Sequence, residues 1–578
     1  MIYVCDERIV ARVKLRFGVP FGHFPHRIET VMLLAPINEC VQDDSDAANS
    51  TSISASDLIE LTSIHTAPAK QTEVSSAIST TEIIDPRWVY LSATIAAVSF
   101  LLLHICDMNF CDPDMWHEMS LFRQTLIEGR VPTEDRFAYT PTVSPSIHHE
   151  WGSGAIFYAV AMSFGACGIM VLKYALVAGV IAGTYRCARQ RGASAAVYLA
   201  VAPAMALFSS YGFTTIRAQA FTLLLLTIML CLLEIDRRGR RWWIAVWLPL
   251  HVVWLNLHGG FVVGAGLMAV HACEQILRRR PFWHFVPVGV ALFALVYINP
   301  YGRQYLPYLM HGVTMARPLI VEWNPLWQHD ARIFGLFLLS WIPVAYAARR
   351  LGMRRLTGIL ILMATAYAAL RHTRHLSLYC VVWTCYVPGY LQQAPVGALI
   401  DRIFRQYGRL VTQVSVIATM LCMCRVIAAA PWQLVIPSTN AHAEQGLVCY
   451  PVGAVQYLQN ADFHGNLMLP FEVGGYAMWK LPRAKVSIDG RYEVAYQPGV
   501  LEEHLLLFRA KQGWQDVLIK YPTDAVIVPS LSRLSAAMPT MIGWTRTYHD
   551  GVYEIYARPA LSLDADMRTC DRIRATMP

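Results

Sequence analysis

Charge is what this chain has least of. Of its 578 residues, 15% are Asp, Glu, Lys or Arg and 55% are hydrophobic. A soluble domain carries about a quarter charged residues, so composition excludes an ordinary soluble protein. The mean hydropathy of +0.37 agrees. Paired cysteines are also missing. The 14 cysteines are scattered without a CxxC pair, and Cys231, Cys422 and Cys424 sit inside apolar runs, where a thiol serves as a small hydrophobe. That argues against a disulfide framework. Residues 1–30 are basic yet lack the apolar core of a signal peptide, and Met32 is an alternative start. The net charge of +8 is small and comes mostly from short arginine clusters between apolar runs. Such clusters are topology signals, which excludes a nucleic-acid surface.

Apolar length is what the chain has in quantity. About eleven stretches long enough to cross a bilayer run from 88–106 to 409–428. The arginine-rich connectors near Arg186, Arg237, Arg278, Arg349 and Arg402 each lie two stretches apart, which puts them all in the cytosol. The loop 107–150 holds eight acidic residues against three arginines and falls on the other face. Only one crossing fits between that loop and Arg186, so the apolar stretch 152–165 is expected to lie along the outer surface. Four parts are expected: a disordered cytosolic tail over 1–84, a helical transmembrane body over 85–430, an outer α/β domain over 431–560 and a flexible tail over 561–578. In the α/β part, strand-like runs at Leu467–Leu469, Val486–Ile488, Ala525–Val528 and Val552–Tyr556 alternate with helical patterns and predict a small open sheet.

The outer loops gather most of the unusual polar residues. Asp112-Pro113-Asp114 opens a helix with the apolar stripe Met115, Met119, Phe122 and Leu126, closed by Gly129. Asp112 suits the N-cap, Pro113 the first helical position and Asp114 the helix dipole, which is a purely structural account of all three. At the outer membrane surface, the same carboxylates also suit proton abstraction from a substrate hydroxyl. His148-His149-Glu150-Trp151 reads as an interfacial tryptophan with polar neighbours, or as a second acid/base, metal ligand or acceptor clamp beside Asp114. His117, His258 and Glu322 are further candidates for one site, though their spacing makes no metal motif. Arg217, Arg371 and Arg374 run against the positive-inside rule. A single outer arginine snorkels to lipid headgroups, whereas three together favour a phosphate or pyrophosphate. Gly474-Gly475 and Asp489-Gly490-Arg491 read as turns, with Asp489 and Arg491 as a candidate ion pair.

In order and topology this pattern resembles the GT-C superfamily of integral membrane glycosyltransferases, which includes aminoarabinose transferases and protein O-mannosyltransferases. The similar features are Pro113-Asp114 just after the first span, surface helices in that loop, His149-Glu150-Trp151 before a helix, and an outer soluble domain. Asp112 to His117, His149 to Trp151, Pro470 to Tyr476 and Ile488 to Arg491 look like stretches of bacterial proteins of this type. The resemblance covers roughly 88–560. It implies an α-helical polytopic protein of the bacterial cell membrane, N-terminus cytoplasmic, with a C-terminal extracytoplasmic α/β domain. It implies sugar transfer from a polyprenyl-phosphate donor to a glycan, lipid or protein acceptor, with inversion. Asp114 fits best as the general base and Asp112 next; Glu150 and His149 would position the acceptor and the arginines the lipid phosphate. Mannosyltransferases of the superfamily have adjacent acidic residues in this loop, whereas proline separates the two aspartates here. Some members use a divalent metal ion, which the sequence leaves open. The rival readings are a lipid-linked polysaccharide ligase or polymerase, and a non-catalytic transporter or scaffold. Transporters usually show internal repeats, and none is clear here.

Overall fold

The apolar stretches become helices wrapped around one buried helix. The structure, a computed structural model, describes residues 85–559 except 107–108, 205–214, 316, 318–319 and 431. The expected tails at 1–84 and 561–578 lie outside the described residues. The principal helices are α1 (Pro86–Cys106), α2 (Pro113–Glu128), α3 (Trp151–Gln190), α4 (Ala195–Val201), α5 (Gln219–Arg237), α6 (Trp243–Leu257), α7 (Phe261–Leu277), α8 (Phe285–Leu295), α9 (Tyr305–Thr314), α10 (Ala331–Leu339), α11 (Ile342–Leu351), α12 (Ile359–Arg371), α13 (Leu376–Gln393), α14 (Pro395–Gln406) and α15 (Gly408–Ala429). Among the described residues, five segments are long and apolar enough to cross a membrane: Pro86–His104, Trp151–Gln190, Gln219–Arg237, Ala331–Leu351 and Gly408–Ala428. Five shorter apolar helices accompany them. The chain is a mostly helical, multi-pass membrane protein.

Burial explains the arrangement. α13 is apolar on every side and buried from Leu376 to Leu391, as a helix without a polar face must be. It packs against α3, α5 and α12. α1 lies along α15 at the edge. α3 is broken at Gly165, whose φ of 59° and ψ of −151° are not helical. The break falls between the stretches 152–165 and 168–186, which the sequence reading also separates.

A buried ionic network ties the ends of α3, α5 and α7 farthest from α2. Arg191 pairs with Glu234 and stacks its guanidinium 4.0 Å from the Tyr386 ring centre. Glu274 accepts from Arg237 at 3.2 Å and Arg278 at 2.7 Å, and from the backbone N–H of Gly358 at 2.7 Å. Paired in this way, the charges escape the cost of an isolated ion in an apolar interior.

The outer part contains α16 (Val452–Asn460), α17 (Phe471–Lys480), α18 (Val500–Phe508) and α19 (Trp514–Lys520) with strands β1 (Asn466–Met468), β2 (Lys485–Val486), β3 (Ala525–Pro529), β4 (Thr545–His549) and β5 (Tyr553–Ala557). The sheet order is β2-β1-β3-β5-β4. β1 runs parallel to β2 and β3, while β5 is antiparallel to β3 and β4. This is the expected small α/β sheet with one further strand, β4, whose polar and mostly exposed residues give no apolar alternation.

Gly474 and Gly475 correct the sequence reading. They are not turn residues but lie inside α17. A Cβ on Gly475 would stand 3.2 Å from His117 N and Pro113 O, and one on Gly474 would stand 2.7 Å from Asp489 Cα. The glycines let α17 lie directly on α2 and on the loop after β2. Arg123 of α2 then donates to the carbonyls of Met478 and Trp479 at the end of α17, at 2.8 and 2.9 Å. Loop residues 137–139 join the sheet edge as well. Val486 N–H donates to Phe137 O at 2.8 Å, and Tyr139 N–H to Val486 O at 3.2 Å. The loop after α1 and the C-terminal α/β part are thus packed together.

Candidate functional site

α2 begins as its sequence dictates. The Asp112 side chain caps it by accepting the Asp114 N–H at 3.2 Å, Pro113 follows, and Gly129 ends it at φ 68°. The expected apolar stripe describes only part of its burial. Met115 and Met119 are buried, Leu126 is exposed, and Trp116, His117, Glu118, Ser120 and Leu121 are buried too. The reason is that α3 covers one side of α2 and α17 another.

A cavity of about 470 Å³ opens beside the first turns of α2. At its centre Arg217, just before α5, gathers three carboxylates. Its Nη2 lies 3.2 Å from Asp114 Oδ2, its Nη1 3.2 Å from Glu322 Oε2 and its Nε 3.7 Å from Asp112 Oδ2. Backbone pairing sets this meeting: Cys111 bridges to Ile216, so the residue before the α2 cap lies beside the residue before Arg217. Burial pushes Asp112 up to about 6 although Arg217 pulls it down. Asp114 is raised by burial in the same way. It keeps 32% of its side chain accessible, so water in the cavity weakens that push. Burial also raises Glu322, but Arg217 and Arg374 outweigh it and hold that carboxyl at about 2.

A second acidic group lines the same cavity. Glu150, at the start of α3, lies 3.3 Å from His149 Nε2 and 3.4 Å from His258 Nε2. His258 Nδ1 accepts the Gly260 N–H at 2.8 Å and faces the Thr222 hydroxyl at 2.9 Å. With Nδ1 accepting, Nε2 carries the proton and points it at Glu150. Burial lowers His258 to about 4, so the ring is neutral at neutral pH. His149 Nδ1 lies 2.7 Å from the Tyr308 hydroxyl. Burial also pushes His117 down to about 4, and its Nδ1 has no hydrogen-bond partner. A Cβ on Gly490 would stand 3.5 Å from Asp114 Oδ1 and 3.7 Å from His117 Nδ1, so the outer domain's backbone walls the cavity there.

Cations line the same cavity. Arg317 and Arg374 stack on Trp323, at 4.5 and 4.6 Å from its ring centre. His372 Nδ1 meets the Trp323 carbonyl at 2.6 Å, and the Thr373 N–H donates to Asn324 O at 3.1 Å. Those bonds fasten the turn Val321–Trp323 to the segment after α12. Arg374 Nη1 lies 3.9 Å from Glu322, its one carboxylate within ion-pair reach among the described residues, whereas Arg217 has three.

Asp114, His117, His149, Glu150, Arg217, His258, Glu322 and Arg374 therefore line one cavity, as the sequence reading grouped them. Asp112 stands behind them on Arg217. Arg371 does not join them: it is an exposed residue at the end of α12, outside the lining. Glu118, Arg317 and Trp323 line the cavity without having been singled out. Glu118 reads as a polar position on an amphipathic helix, yet it recurs four residues after Asp114, the spacing of one helix face. Asp489 and Arg491 pair as anticipated, at 2.6 Å, and Arg491 also reaches Asp135 of the first loop at 2.8 Å. Among the described residues, no group of three or more His, Cys, Asp or Glu has the geometry to hold a metal ion.

No protein-family model and no curated protein matches the chain. One solved structure, the arabinofuranosyltransferase AftD from Mycobacteria, superposes with a TM-score of 0.48 at 14% sequence identity. The superposition covers 82% of this chain and 40% of that one, so this chain spans less than half the length of that protein.

Proposed function

We propose that this protein is an inverting membrane glycosyltransferase, moving a sugar from a polyprenyl-phosphate donor to a hydroxyl acceptor on the outer face. The observation that carries the reading is that one cavity holds both kinds of charge. Arg317 and Arg374 stack on Trp323, and Asp114 and Glu150 line the same space. A glycosyl phosphate suits such a lining, with its phosphate at the cations and its acceptor at the carboxylates. The lining also includes the apolar residues Val262, Val263, Leu309 and Val313, and Val313 is 64% exposed, which offers a lipid chain a way in.

The chemistry is a single displacement. The acceptor oxygen bonds to the anomeric carbon as the bond from that carbon to the phosphate oxygen breaks. The acceptor proton passes to Asp114, and the lipid phosphate leaves with the electron pair, held by Arg374 and Arg317. A carboxylate raised by burial is a stronger base than one in water, which suits Asp114. Glu150 orients the acceptor by accepting a second hydroxyl.

The test is release of lipid phosphate by purified protein in lipid nanodiscs, supplied with lipid-linked sugars extracted from membranes and with a glycan acceptor pool. Wild-type protein is expected to release it and Asp114→Asn to be about 10²- to 10⁴-fold slower. Equal rates would remove Asp114 from the mechanism.

A further inference from the structure

Glu118 is 2% exposed, and neither of its carboxyl oxygens meets an N–H or O–H donor of the protein. A buried carboxylate left so would be costly, because ionised carboxylates are kept in interiors only when paired or hydrogen-bonded. Both side chains line the same cavity, and the like charge of Glu150 opposes ionisation of Glu118. A proton on Glu118 removes that cost and makes it a donor. The backbone brings them together. Gly154 packs on Glu118, where an added Cβ would stand 2.9 Å from the Glu118 carbonyl carbon and 3.3 Å from its Cβ. Glu150 lies one helical turn before Gly154, on the Glu118 side of the crossing.

We propose that Glu118 and Glu150 share one proton, with Glu118 the neutral donor and Glu150 the anion, and that Glu118 is a positioning residue acting through Glu150. The surroundings fix which partner is neutral. Glu150 has imidazole N–H groups of His149 and His258 turned toward it, and Arg374 lies on its cavity side. Glu118 faces Glu150 and, along its own helix, Asp112 and Asp114, with Arg217 beyond them. Burial and these like charges raise Glu118 well above the usual carboxylate range. Burial also acts to raise Glu150, but the histidines and the Glu118 donor prevail and hold it low. The same cavity thus contains a neutral carboxylic acid one turn from the ionisable Asp114, two carboxyls driven apart by their settings.

The proton sharing stands independently of the glycosyl-transfer reading; only its effect on turnover rests on that reading. The first measurement is therefore infrared absorption at neutral pH. Wild-type protein is expected to show a protonated-carboxyl C=O stretch that Glu118→Gln lacks. An unchanged band in that variant overturns the proposal. The second is the pH profile of transfer. Glu118→Gln keeps an N–H donor to Glu150 and leaves the acid limb in place. Glu118→Leu removes the donor, Glu150 then ionises only at higher pH, and the acid limb moves up by about one unit or more. Equal profiles for the two variants, each checked by thermal melting, would show that Glu118 acts only through packing.

Discussion

Arg217 Nη2 lies 3.2 Å from Asp114 Oδ2. That contact sets the charge of the proposed base, because the guanidinium offsets the upward push of burial on the carboxyl. Arg217→Met is expected to raise Asp114 further, so that a higher pH is needed to ionise it. The acid limb of the pH–rate profile should move upward, and loss of the cation shared by three carboxylates should cost about 3–5 kcal/mol of stability. Arg217→Lys, which cannot serve three carboxylates from one fork, should fall between. A pH profile of Arg217→Met that overlays wild type would separate Arg217 from Asp114's ionisation.

Arg374 and Arg317 both stack on Trp323 in the cavity lining. Truncating Arg374 to Ala is expected to raise the KM for the lipid-linked donor about 10- to 100-fold, the worth of a charged hydrogen bond. The KM for acceptor should change little. Saturation curves for the two substrates separate these effects. A rise confined to the acceptor KM would reverse the roles assigned to the cations and the carboxylates.

Arg491 fastens the outer domain to the first loop through Asp489 and Asp135. Burial alone would raise Asp489, but Arg491 holds it below the usual carboxylate range. Its contribution to stability is therefore complete above the unfolded value of about 3.9 and lost only as pH falls through the lower folded value. Asp489→Asn should lower the melting temperature at neutral pH and flatten its dependence on pH below about 4. Melting curves over that range are the check, and a variant that keeps the wild-type slope would assign the acid sensitivity elsewhere.

Glu234 accepts from Arg191 and forms an ion pair with Arg237, at the other end of α5 from the cavity. Glu234→Ala leaves Arg191 without a carboxylate and Arg237 with Glu274 alone, and is expected to cost about 3–5 kcal/mol. At a temperature where the variant is still folded, its donor KM should stay within about threefold of wild type. A large KM change with no loss of stability would tie this network to substrate binding.

Much of the site was legible because charge is rare in this chain. Asp114, Glu150, Arg217 and Arg374 stand out in outer loops where a bilayer protein gains little from them, and the fold brings them to one cavity. Glu118 was hidden by its helix: a glutamate beside an apolar stripe reads as a solvated position, and only α3 crossing at Gly154 makes it buried. Arg317 and Trp323 belong to an irregular segment, where no periodicity marks which side chain turns inward. Arg371 had the same warrant as Arg374, yet the end of α12 leaves it outside. The Gly474-Gly475 pair shows the same limit, since a glycine serving helix contact and one serving a turn look alike until the neighbouring helix is known. The outer sheet was read from its apolar strands, and β4 escaped because its residues are polar.

The most direct test of Asp114-dependent glycosyl transfer is the lipid-linked and envelope glycan profile of a strain deleted for this protein, complemented with wild type or Asp114→Asn. One sugar is expected to be missing from the envelope glycan, its lipid-linked donor to accumulate, and wild type alone to restore both. Equal rescue by Asp114→Asn would rule out that transfer.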